Sequence, residues 1–128
     1  MKMSFLYLIL VLLIPAKAFA DDNISYQVLS DEFKGGIIVF KVEVYENILS
    51  ERLPSEKELL WVAEQLIGHR ASDSRRKLVQ FFLPDLKSGA YAIAEMEQGP
   101  IEVERQPWSL IDNPQYQKYI NDKYEFIE

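Results

Sequence analysis

Residues 77–96 read KLVQFFLPDLKSGAYAIAEM, two apolar runs around a polar break, and the second run sets alanine at positions 90, 92 and 94. The first run is too apolar for a surface loop and too short for a good helix. Pro84 and Asp85 end it, and Lys87, Ser88 and Gly89 complete a turn. The pair reads as a β-hairpin. Strand side chains alternate between faces, so small residues at every second position make a face that another element approaches closely. A helix fits there. Tyr91 and Ile93 then fall on the reverse face, as core or as a binding surface.

The helix for the alanine face lies upstream, in LPSEKELLWVAEQLIGH at 53–69. Ser55 and Glu58 have the spacing of a capping box, in which each side chain bonds the other residue's backbone amide. Leu59, Val62, Ala63, Leu66 and Ile67 recur at helical spacing, and Gly68 stands where helices commonly stop. A helix over 56–67 is predicted, with the Leu59/Ala63/Leu66 stripe against the alanines and Trp61 off the stripe. Further upstream, IIVFKVEVY at 37–45 alternates apolar and polar residues as a half-buried strand does. ISYQVL at 24–29 precedes it, and SDEFKGG at 30–36 supplies a turn whose Gly35 and Gly36 permit positive backbone angles.

Downstream, Gly99-Pro100 ends the hairpin and IEVERQ at 101–106 gives a fifth short strand. Residues 107–128 change character: Trp108, Tyr116, Tyr119, Tyr124 and Phe126 make an aromatic tail, with a short helix predicted over 115–123. The order is β-β-α-β-β-β, an α+β domain with a sheet of about five strands, one main helix on one face and a partly helical tail. One helix covers one face. The tail is therefore predicted to fold over Tyr91 and Ile93.

The segments FKVEVYENILSERLPSEKELLWVAEQLIG and VQFFLPDLKSGAYAIAEM, about half of the chain beyond residue 20, resemble small exported bacterial α+β domains of unknown function. In those, an apolar strand leads through a capped helix to a strand with a leucine-proline break and then to an alanine-rich strand. The resemblance implies export and an α+β fold. It transfers no catalytic residue.

Export is also expected from residues 1–20, MKMSFLYLILVLLIPAKAFA, which combine Lys2, a ten-residue apolar run and the cleavage pattern Ala18-Phe19-Ala20. That run is half of the roughly 20 apolar residues a spanning helix needs. Cleavage leaves one domain over 21–128, with no membrane span, in the periplasm or the medium. All 20 acidic residues but only 12 of the 14 basic ones lie beyond residue 20, a formal charge of −8 for that part. Such acidity opposes phosphate backbones, so nucleic acid is not an expected partner. The chain has no cysteine, which removes thiol nucleophiles, thiolate metal sites and redox pairs.

The remaining chemistry is sparse. His69 is the only histidine and lacks companions for a zinc set; no serine stands in a G-x-S-x-G elbow. Glu95, Glu97, Glu102 and Glu104 alternate on neighbouring strands, and Glu95 with Glu102 is the carboxylate pair a small envelope-polymer hydrolase would use. Arg70, Arg75 and Arg76 form a basic loop in an acidic chain. The reading is a non-enzymatic binding domain without cofactor or metal. It takes a protein partner through Tyr91 and Ile93, a strand edge, or Arg70, Arg75 and Arg76. The hydrolase and a self-associating structural subunit, such as a homodimer, are the alternatives. Ser55, Glu58, Gly68 and Gly89 are structural.

Overall fold

The computed structural model of the protein describes residues 23–68, 75–86 and 89–127. The export signal expected over 1–20, His69 and Arg70 of the expected basic loop, and Lys87 and Ser88 of the expected hairpin turn lie outside the described residues. The elements are β1 (Tyr26–Lys34), β2 (Ile37–Val44), α1 (Glu56–Gly68), β3 (Arg76–Phe82), β4 (Ala92–Met96) and β5 (Glu102–Arg105), then two 3₁₀ turns, Pro107–Leu110 and Pro114–Tyr119. The strands form one sheet in the order β1-β2-β3-β4-β5. Neighbours are antiparallel except β2 and β3, which run parallel because α1 intervenes between them. This is the predicted α+β order.

β1 is longer than its sequence implied. The turn expected over 30–36 contracts to Gly35 and Gly36, at φ 59° and 83°, so Lys34 pairs directly with Ile37. Two successive positive φ angles match a hairpin turn to the strand twist, which is why glycine occupies both places. A register shift between Val28 and Ser30 marks a bulge in this edge strand.

One face of the sheet holds the core. Ile38, Phe40, Val42 and Val44 of β2, Val79 and Phe81 of β3, and Ala92 and Ala94 of β4 are buried there against Leu59, Val62, Ala63 and Ile67 of α1. The alanine face thus lies toward the helix. Ala94 stands between Val79 and Val103, and Ala92 between Phe81 and Arg105. Of the predicted stripe, Leu66 is only half-buried. Trp61 leans off the stripe onto Tyr26, edge to face at 6.1 Å.

Tyr91 departs from the predicted placement. It was expected beside Ile93 on the reverse face, yet it is fully buried in the core cluster. The reason is a break in alternation. The Tyr91 amide donates to the Phe81 carbonyl at 2.7 Å, while Ala92 is the register partner of Phe81. Two successive residues oppose one, the count of a β-bulge, so both turn to the same side. The Tyr91 hydroxyl donates to the Pro54 carbonyl at 2.6 Å, and its ring meets Phe126 edge to face at 5.8 Å. Tyr91 therefore ties β4 to the loop before α1.

The tail is also placed differently. Its contacts close the end of the sheet where β2 and β3 finish, instead of covering Ile93. Tyr116 donates to the Pro84 carbonyl at 2.8 Å, Asn113 Nδ2 to the Asp85 carbonyl at 2.7 Å, and the Tyr119 hydroxyl to Glu46. Leu110, Tyr116 and Tyr119 join the core. The helix expected over 115–123 is the shorter 3₁₀ turn Pro114–Tyr119, after which Ile120 is extended and bridges Phe126.

Candidate functional site

Among the described residues, helix and tail lie on the core side and at one end and leave the reverse face of the sheet open. It presents Val39 of β2, Leu78 and Phe82 of β3, and Ile93 of β4, all half-buried. Register puts Val39 beside Leu78 and Gln80 beside Ile93. None of these four apolar residues belongs to the core cluster or packs against it. Lys41, Glu95, Glu102 and Glu104 share the face, so an apolar centre has a charged border. Of the residues singled out from sequence, Ile93 lies on this surface and Tyr91 does not.

The predicted basic loop is dispersed over its described part. Arg75 places its guanidinium 4.1 Å from the Phe33 ring centroid on β1, a cation–π contact at the sheet edge. Arg76 reaches across the reverse face to Glu95, forming both a hydrogen bond and an ion pair. The two arginines thus engage different strands and do not converge on one point.

Glu95 and Glu102 are direct register partners on β4 and β5. With Ile93, Val103 and Glu104 they line a cleft of about 260 Å³. Arg76 occupies one Glu95 oxygen and Glu102 is exposed. Among the described residues, no group of three or more His, Cys, Asp or Glu side chains has the arrangement to hold a metal ion. No helix there is long and apolar enough to cross a membrane.

The capping box is realised and extended by a residue that periodicity did not single out. The Glu58 amide donates to Ser55 Oγ at 3.2 Å, and the Ser55 amide to Glu58 Oε1 at 3.0 Å. Arg52 then forks onto both Glu58 oxygens at 2.8 and 2.7 Å. Burial alone would raise the Glu58 carboxyl, but the Arg52 guanidinium and the Ser55 amide together hold it below the ordinary carboxylate value. Arg52 lies in an irregular loop, where no pattern marks a partner six residues away. At the other sites named structural, Gly68 ends α1 and Gly89 has φ 109°, a left-handed turn position.

A second cleft, of about 430 Å³, lies between the loop before α1 and the tail, with Arg52, Leu53, Arg105, Tyr119, Phe126 and Ile127 in its walls. Its guanidiniums are engaged, Arg52 by Glu58 and Arg105 over the Phe126 ring at 4.2 Å. At the foot of the tail, the Tyr119 hydroxyl is pushed up, by burial first and then by its bond to the Glu46 carboxylate, so it stays protonated and donating. No family model, no curated protein and no solved structure matches this chain.

Proposed function

We propose that the protein is an exported, non-enzymatic binding domain that engages a protein of the cell envelope or the medium through the open face of its sheet. The observation that carries this reading is the half-buried patch of Val39, Leu78, Phe82 and Ile93 set around Gln80, which neither α1 nor the tail accounts for among the described residues. A protein surface suits it. The apolar centre supplies contact area and the charged border supplies orientation, the anatomy of protein interfaces. Export is supported by residues 1–20 and by the resemblance to small exported bacterial domains.

The test uses the immobilised domain over 21–128 and envelope extract from the producing cells. Leu78→Glu and Ile93→Glu each put a charge in the apolar centre while leaving the α1 side untouched. A discrete set of proteins should be retained by the parent domain and lost from both variants, with melting temperatures changed by only a few degrees. Retention of the same set by both variants overturns the reading.

A further inference from the structure

The loop between β2 and α1 exposes its most apolar residues at its tip. Ile48 is 77% and Leu49 98% exposed. The loop around them is nonetheless tightly held. Asn47 and Arg52 exchange two backbone hydrogen bonds, at 2.8 and 3.2 Å, and Asn47 Oδ1 accepts the Ser50 amide at 3.0 Å. Arg52 is anchored in turn on Glu58 and so on the cap of α1. Glu51 has φ 52°, a left-handed geometry that non-glycine residues keep where their surroundings impose it. Beside the tip, Ile48 and Leu49 border a cleft of about 430 Å³ whose walls mix Ile24 and Tyr45 with the polar Asn23, Glu46 and Arg52.

We infer that the Ile48–Leu49 tip is a docking knob that enters an apolar pocket with a basic rim on a partner protein. Pinning before contact removes much of the ordering cost that a loose loop meets on binding. Charge selects the occupant. Glu51 is exposed beside the tip, the half-buried Glu46 carries its charge at the foot where Tyr119 donates to it, and the Arg52 charge is paired with Glu58, so the ground around the knob is acidic. A second copy would set like-charged rims against each other, and an anionic lipid surface would repel both glutamates. A pocket rimmed by lysine or arginine complements them.

The inference rests on the reading of the domain as a protein-binding module, but it uses a surface distinct from Ile93. The test places a photoreactive benzophenone side chain at position 49 in one sample of the domain and at position 93 in another. Each is irradiated in envelope extract, with phosphatidylcholine vesicles, and alone. The position-49 probe should give a discrete protein adduct in extract, and its mapped peptide should carry lysine or arginine beside apolar residues. The yield should fall at least about fivefold with Ile48→Ser, or on raising salt to about 0.5 M, because screening weakens a charged rim. Both tip side chains face solvent, so an unchanged thermal melt will show that Ile48→Ser remains folded. No adduct, a lipid adduct, an adduct to a second copy, or a mapped peptide without basic residues each overturns the knob. An adduct at 93 without one at 49 overturns the knob and spares the sheet-face reading; the converse spares the knob and counts against the sheet face.

Discussion

Glu58 shows how one side chain can join sequence, fold and pH response. It is 3% exposed and holds three partners: the Ser55 amide and both arms of the Arg52 fork. Glu58→Gln keeps the shape but weakens the fork and the cap, a loss of about 2 kcal/mol. The folded state holds the carboxyl below the value of about 4.5 it has when free. Its contribution is therefore present above that pH and lost as pH falls through the lower folded value. Melting temperatures between pH 7 and pH 3 should fall more steeply on the acid side for the parent than for Glu58→Gln; parallel curves would contradict this role. Tyr91 gives a second test at this scale. Tyr91→Phe leaves the buried Pro54 carbonyl without its donor and should cost about 1–2 kcal/mol in denaturant unfolding. Legibility differed between the two residues. Ser55 and Glu58 announce themselves by spacing and by the helix that follows. Alternation places Tyr91 on the wrong face because it runs through a bulge, which depends on the neighbouring strand and leaves no mark in local sequence.

Among the elements, β4 and α1 were readable together because the alanines and the apolar helix stripe imply each other. Both Ala92 and Ala94 are fully buried, so a larger side chain at either enters the core. Ala94→Leu should lever α1 away from the sheet and cost about 1–3 kcal/mol by thermal or denaturant unfolding, whereas Glu95→Leu on the other face should cost far less. The tail was readable only as aromatic. Its place depends on where Pro84 and Glu46 emerge, which is a matter of tertiary geometry. Ending the chain at Gln106 removes Leu110, Tyr116 and Tyr119 from the core. The shortened domain should bind a dye for exposed apolar surface and melt well below the full domain; equal stability would contradict the tail's role as an end closure.

For the whole molecule, the order of segments was legible but the order of strands within the sheet was not; the structure keeps sequential strands adjacent, with one helix separating the parallel pair. The candidate surface was legible in part. Ile93 emerges from alternation, but its lack of cover among the described residues does not, because the tail's place at the sheet end depends on tertiary contacts that no local pattern encodes. A cysteine-free chain offers a direct check of this central claim. Single cysteines at Ile93 on the open face, Ala94 on the core face and Leu49 at the exposed tip can be labelled with a maleimide in the folded monomer. Ile93→Cys should react within about tenfold of Leu49→Cys, while Ala94→Cys, buried under α1, should react only through opening of the fold and at least about a hundredfold more slowly. If Ile93→Cys is instead as protected as Ala94→Cys in the monomer, the reverse face is covered and the proposed binding surface does not exist.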